Sequence, residues 1–230
     1  MRLKTLSSLS AVLILVAAVP ARAQDTYRLL LIDEHPVKWG APERGTGATI
    51  TYHLAGEASK GGNVNCRGIT PLAPLLSYSH IGRRTFGEAL DAAVRAWESA
   101  ADVRFVRVGD DQPANLTISA EQIPDGVAFT DVTTASSATS ITPLESAIIC
   151  LNPRVRWSAA PHDKHAKALT YVLEHEIGHA LGLDHPGPEG ELMSFEYSDT
   201  IRTLQPGDIE GIVSLYGRAA HAVALASPVH

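Results

Sequence analysis

The stretch HEIGHALGLDH, His175 to His185, constrains this chain more than any other part of it. On an α-helix, residues four apart lie one above the other, so His175 and His179 aim at a single point. At about 100° per residue, Leu169, Leu173, Ile177, Ala180 and Leu181 gather on the opposite side, which predicts a helix with one buried face and two imidazoles on the other. Gly182 follows His179 by three residues. Without a Cβ it permits a positive φ, and a sharp exit from the helix there returns His185 toward the same point. Three neutral imidazoles with a fourth position open make the arrangement of a catalytic zinc, whereas structural zinc sites close all four positions. Glu176, beside the first histidine, is placed to contact a zinc-bound water. Each residue alone has a plainer reading, since a single helical histidine is usually a surface or satisfied core residue. Together, H-E-x-x-H-x-x-G-x-x-H on an amphipathic helix reads as a metal site.

The chain begins MRLKTLSSLSAVLILVAAVPARAQ, with Arg2 and Lys4 before an apolar run and Ala21-Arg22-Ala23 after it. This is the pattern of a secretory signal peptide over residues 1–23. The apolar run is shorter than the roughly 20 residues that span a bilayer, and no later segment reaches that length, so no transmembrane anchor is expected. Removing residues 1–23 takes away three basic residues and no acid, and moves the formal charge from −6 to −9. That acidity argues against nucleic acid as a partner. The expected protein is secreted or periplasmic, and a monomer.

Two cysteines, Cys66 and Cys150, remain in a compartment that permits disulfides. One disulfide is the favoured reading. Two unpaired buried thiols are the plainer alternative. A zinc-blocking cysteine is a third, weakened because residues 24–37 are too short to form a propeptide.

Along the chain, ATITYHLAGE (48–57) alternates with period two and predicts a strand. The segment that follows, to Arg84, is rich in Gly, Ser and Pro and reads as a long connection. TFGEALDAAVRAWESAA predicts a helix with Thr85 as N-cap and Glu88 completing a capping box, burying Phe86, Leu90, Ala93, Val94, Trp97 and Ala101. VRFVRVG (103–109) and ANLTISA (114–120) predict strands, and GVAFT (126–130) a short one. DVTTASSATSITPLE reads as a flexible loop, followed by a buried strand over 147–151. A helix is expected from about Asp163 into the motif, and a last helix near Pro206 with Ile209, Ile212, Val213 and Tyr216 facing inward. His162 and His165 are read as surface residues, with an auxiliary metal site as the rarer reading.

The chain resembles the metzincin zinc endopeptidases, and among them the matrixins of bacterial type, from about Lys38 to Gly217. The likeness is carried by HEIGHALGLDH, by ELMS with Met193 eight residues after His185, by LQPGDIEGIVSLYG (204–217), and by the order of strands and helices around Trp97. It implies an α+β metzincin fold: a twisted mixed sheet, an active-site helix, and a C-terminal subdomain ending in a helix. It implies residues 24–37 as an N-terminal segment, 38–217 as the catalytic domain and 218–230 as a tail. It also implies Met193 as an apolar base beneath the metal, and substrate laid against an edge strand, for which GVAFT is the candidate. The pocket for the residue after the scissile bond is expected from Ser194 to Leu204.

Several family features are missing. No histidine lies between Phe105 and Trp157, so a second, structural zinc is not expected, and bound calcium is not part of the expectation. Neither a propeptide of the usual length with its switch cysteine nor a hemopexin-like domain is expected. Ser194 and Phe195 follow Met193, which removes a tyrosine ligand from that position.

These residues imply a secreted endopeptidase acting on protein or peptide substrates. One catalytic Zn2+ is held by His175, His179 and His185, and its bound water is activated by Glu176. Asp184, Asp208 and Tyr197 are candidates for supporting groups around the metal. Two other readings suit the same residues: a catalytically restrained zinc-binding or adhesive module, and an amidase acting on a cell-wall peptide.

Overall fold

The computed structural model describes residues 26–56, 65–136, 139–160, 163–187, 189–198 and 200–219. The expected leader and His162 lie outside the described residues, as does the expected tail beyond Ala219. In chain order the elements are β1 (Arg28–Leu29), β2 (Leu31–Ile32), β3 (His35–Lys38), β4 (Ala48–Leu54), β5 (Ile69–Thr70), α1 (Ala73–Ser79), α2 (Arg83–Ala100) and β6 (Val103–Arg107). They continue with β7 (Leu116–Glu121), β8 (Ala128–Thr134), β9 (Thr142–Leu151), β10 (Trp157–Ser158), β11 (Lys167–Ala168), α3 (Leu169–Ala180), β12 (Leu183–Asp184) and α4 (Pro206–Tyr216).

The main sheet runs β2-β3-β9-β7-β4-β6, with β5 added to β7 and β8 to β9. Pairs β3/β9, β9/β7, β7/β4 and β4/β6 are parallel, whereas β8 runs antiparallel to β9. Parallel neighbours need crossovers, and α2, between β4 and β6, supplies one of them. The result is the α+β architecture expected, a mixed sheet carrying the motif helix. Ile50 and Tyr52 of β4 are buried, as period two requires. On α2 the buried residues Phe86, Leu90, Ala93, Val94 and Trp97 recur every three or four positions, and Trp97 Nε1 donates to the Glu174 carbonyl of α3 at 2.9 Å.

The structure corrects several element boundaries. Helix α2 starts before Thr85, with Gly82 as its cap, and Glu88 pairs with Arg84 at 2.9 Å instead of reaching back in a capping box. Helix α3 starts at Leu169, not near Asp163, because Lys167 and Ala168 pair in parallel with Trp157 and Ser158 and keep the backbone extended. The long connection contains β5 and α1, the latter opening with a proline and burying Leu75 and Leu76. Asp131 to Thr134, read as loop, extend β8 along β9 to a register shift at Thr133/Thr134. Helix α4 has Pro206 in its first turn as expected, but its buried face is rotated: Asp208, Gly211, Ile212, Leu215 and Tyr216 face inward, while Ile209 and Val213 are half-buried. The cause is the chain near Tyr27, which crosses α4 at Gly207 and Gly211, where only glycine leaves room.

Residues ahead of the expected domain start at Lys38 take part in the sheet system. Arg28–Leu29 pair with Leu183–Asp184 at the exit of the motif, and Val37–Lys38 pair with Thr142–Pro143. Cys66 and Cys150 form a disulfide that ties the connection after β4 to β9, across 84 positions. Closing so long a loop restricts the unfolded chain. Replacing both cysteines by serine is expected to lower stability by about 2–4 kcal/mol. Denaturant unfolding of the two forms side by side checks this, and coincident curves would show that the disulfide adds nothing.

Candidate metal centre and cleft

Helix α3 positions two imidazoles by its own repeat, and the turn after it supplies the third. Leu169, Leu173, Ile177, Ala180 and Leu181 are all buried, as the helical pattern predicts, which leaves His175 and His179 on the face toward the cleft. Gly182 has φ +100°, a conformation that residues with a side chain rarely adopt, and a Cβ there would collide with the Val37 carbonyl. Through this turn His185 comes back beside the other two. The three Nε2 atoms form a triangle with every side 3.1 Å.

The hydrogen bonds around the triangle determine where the protons are. His175 Nδ1 lies 2.8 Å from the Leu192 carbonyl and His179 Nδ1 2.9 Å from the Leu183 carbonyl. A carbonyl only accepts, so both Nδ1 atoms carry the hydrogen and both Nε2 atoms present lone pairs. Lone pairs converging at 3.1 Å repel unless a cation lies among them. Tetrahedral zinc with bonds of about 2.0–2.1 Å sets nitrogen atoms about 3.3 Å apart, so the triangle fits such an ion. Burial lowers the pKa of all three histidines, and for His179 burial and the other two rings bring it down to about 3. Neutral rings are the ligating form.

Beneath the triangle, the turn at Leu192-Met193 packs against α3. Met193 is buried against Gly178, where an added Cβ would strike its sulfur and come within 2.9 Å of the Trp97 ring. Buried Asp208 holds this turn: its carboxylate accepts from the backbone N–H of Leu192 at 2.9 Å, Met193 at 3.0 Å and Gln205 at 2.7 Å. One carboxylate thereby caps α4 and fixes the carbonyl that orients His175. Asp184 pairs with Arg28 at 3.2 Å and accepts from the His185 N–H at 2.8 Å. Tyr197 packs edge-on to Tyr171 at 4.9 Å, with Lys167 over its ring and its hydroxyl accepting from the Ala168 N–H. Of the three supporting groups expected, Asp208 thus bears on His175 through Leu192 and Asp184 adjoins His185, while Tyr197 shapes the wall. His165 lies in the turn before β11, away from the helix on which it was expected.

Glu176 is buried at the floor of the cleft. The Thr130 hydroxyl lies 2.7 Å from Glu176 Oε2 and 3.0 Å from its carbonyl, joining the edge strand β8 to the motif helix. Burial pushes the Glu176 carboxyl up to about 7, and the Thr130 hydrogen bond opposes that shift. The cleft, about 390 Å³, is bounded by Val127 and by Ala128 to Thr130 of β8, the three histidines, Tyr171, Ser194, Phe195 and Tyr197. GVAFT therefore supplies a wall of the cleft, and the part of 194–204 that reaches the cleft is its first few residues. Phe195 is exposed, with its ring 6.2 Å from that of His185. Sequence reasoning did not find Thr130, or the Leu192 and Leu183 carbonyls. Nothing in spacing marks a hydroxyl on another element, and any residue type carries a carbonyl.

A mixed sheet over a helix bearing this histidine triad, with a methionine turn below, defines the metzincin class of metallohydrolase folds. The matrixin sequence profile matches residues 75–217, more than half of the chain, and the chain belongs to the matrixin family. Stromelysin-2 of Rattus norvegicus is 28% identical over 154 residues, which cover 64% of this chain and 32% of the relative. Interstitial collagenase B of Mus musculus is 41% identical over 59 residues, 25% of this chain and 13% of the relative. A probable matrix metalloproteinase, 095L, of Invertebrate iridescent virus 3 is 35% identical over 74 residues, 31% of this chain and 20% of the relative. The matched stretch spans about a third or less of each relative's length.

Two outcomes follow from this packing. Gly178→Ala is expected to cost about 1–3 kcal/mol by overpacking; an unchanged midpoint in thermal or denaturant unfolding would show that Met193 can move aside. Glu174 is buried, and its Oε2 has no hydrogen-bond partner among the described residues. Burial, with the Asp208 charge, pushes its carboxyl from 4.5 up to about 8. The folded state therefore keeps a proton that the unfolded chain releases, and this contribution to stability is complete below pH 4.5 and lost as pH rises through about 8. Glu174→Gln is expected to raise the melting temperature more at about pH 8.5 than at about pH 5. Equal shifts at both would contradict the buried, protonated carboxyl.

Proposed function

We propose that this chain is an exported zinc-dependent endopeptidase, with His175, His179 and His185 as metal ligands and Glu176 as the catalytic acid-base. The observation that carries the reading is the convergence of three Nε2 atoms, two of them held as bare lone pairs by carbonyl partners, beside a buried carboxylate. Zinc in this site supplies Lewis acidity, which polarises a peptide carbonyl and brings the pKa of water to about 7.

The chain's own groups do the rest. Glu176 takes the proton of the attacking water and passes it to the leaving amine. The Thr130 hydroxyl holds Oε2, so the carboxylate stays aligned with the cleft. Leu192 and Leu183 carbonyls keep the two helical imidazoles in the ligating tautomer. Among the described residues strand β8 pairs only with β9, and its other edge offers backbone groups to an extended peptide. An intrachain disulfide accords with an oxidising compartment, and among the described residues no helix is long and apolar enough to cross a membrane.

Cleavage of unfolded casein by residues 24–230 tests the reading. The wild type is expected to cut, and Glu176→Ala, at equal zinc content, to lose at least about 10²-fold in kcat/KM. A chelator such as 1,10-phenanthroline should abolish cleavage and added zinc restore it. Lowering the pH should remove activity, since a protonated Glu176 cannot take a proton from water and protonated imidazoles cannot hold the metal. A form that binds one zinc yet cuts neither casein nor a peptide library would leave the binding-module reading, and cleavage confined to cell-wall peptides would favour the amidase.

A further inference from the structure

The cleft has a second anchored wall residue, contributed by the connection after β4. Asn65 lies at the rim of the cleft next to Cys66, whose sulfur is tied to Cys150 of β9. Its partner is Asp131 of β8, 7% exposed. Asp131 accepts three hydrogen bonds from this turn: the Cys66 N–H at 2.8 Å and the Asn65 N–H at 3.2 Å on Oδ2, and Asn65 Nδ2 at 2.9 Å on Oδ1. The turn is thus held by a covalent bond on one side and a saturated carboxylate on the other.

This arrangement decides which end of the Asn65 amide faces the cleft. The Asn65 NH₂ group donates to Asp131 Oδ1, so the Asn65 carbonyl Oδ1 turns away from it. Oδ1 has no hydrogen-bond partner among the described residues, and Asn65 is exposed. The rim therefore carries a fixed acceptor whose orientation is set before any ligand arrives.

Its place relative to the chemistry follows from β8. Thr130 contacts Glu176, and the next residue, Asp131, holds Asn65. For a chain laid antiparallel to β8 with the bond under attack beside Glu176, the residues N-terminal to that bond lie toward Asp131. We infer that Asn65 is a substrate-positioning residue, accepting a backbone N–H from substrate on the N-terminal side of the scissile bond. The inference rests on the endopeptidase reading for the identity of the ligand.

The test compares wild type, Asn65→Ala and Asp131→Asn on two peptides spanning one casein bond that the wild type cuts, one extended four residues on the N-terminal side and one truncated to a single residue there. Asn65→Ala removes the acceptor. Asp131→Asn keeps the shape and the two backbone bonds but offers an NH₂ to Asn65, which turns the Asn65 amide over and presents a donor to the cleft. One hydrogen bond of about 1 kcal/mol corresponds to about fivefold. Both variants are expected to raise KM about fivefold for the long peptide with kcat unchanged, and to leave the short peptide as in wild type. Equal losses on both peptides, or no loss on either, would overturn the assignment. Binding of fluorescein-labelled β-casein to Glu176→Ala and to Glu176→Ala/Asn65→Ala needs no turnover and separates the two readings. A weaker second complex upholds Asn65 even where the wild type cuts nothing, and equal Kd values remove it.

Discussion

Three imidazole nitrogens held 3.1 Å apart form an arrangement that a folded chain does not adopt for its own stability. Two of them, on His175 and His179, are locked as acceptors. Every ring is fixed from behind: by the Leu192 carbonyl, by the Leu183 carbonyl, and by the Gly182 turn that delivers His185. Much of the fold can be understood as the means of keeping those three supports in place. Asp208 is central to this, because it binds the N–H groups of Leu192 and Met193 while capping α4, so the methionine turn and the last helix move as one piece.

The sheet makes a corresponding contribution on the other wall. Strand β8 faces two ways: Thr130 reaches α3 and Glu176, while Asp131, on the alternate face, holds the turn at Asn65 and Cys66. A polar strand at a sheet edge is ordinarily prone to fraying or to pairing with other chains. Here the disulfide and the Asp131 hydrogen bonds tie the strand to the turn beside it, next to the buried Glu176 carboxyl.

These devices differ in how visible they are in sequence. The histidines, Glu176, Gly182 and the buried face of α3 follow from helical spacing, because their relation is local and the 3.6-residue repeat decides it. Asp131 to Thr134 read as loop because two threonines and a carboxylate around a single valine lack apolar alternation; what keeps them extended is pairing with Leu144–Ile148 and a partner turn some 65 residues away in sequence. The start of α3 was misplaced for a similar reason, since Lys167 and Ala168 are held extended by β10. The rotated face of α4 reflects a contact with Tyr27 that no helical pattern contains. Local periodicity therefore reveals the histidine triad, and tertiary partners decide the walls around it.

The clearest case of such partnership is the exit of α3. A helix ends with carbonyls that have no donor of their own, and at this end a ligand, a turn and a ligand follow in quick succession. The Ala180 carbonyl accepts from Trp39 Nε1 at 2.7 Å, Leu181 from the Tyr216 hydroxyl at 2.8 Å, and Gly182 from the Leu30 N–H at 2.8 Å. Tyr216 in turn accepts from the Trp39 N–H, and Lys38, fully buried, lies over its ring with its ammonium on the Trp39 and Ala41 carbonyls. The donors come from residues 30–39 and from the last turn of α4, the two ends of the described chain. The segment ahead of the expected domain start is thus joined to the C-terminal helix at the point where the chain turns toward His185. A histidine triad written in eleven consecutive residues depends for its geometry on residues some 150 positions earlier, which is why the motif alone shows which side chains converge but not how they are kept in place.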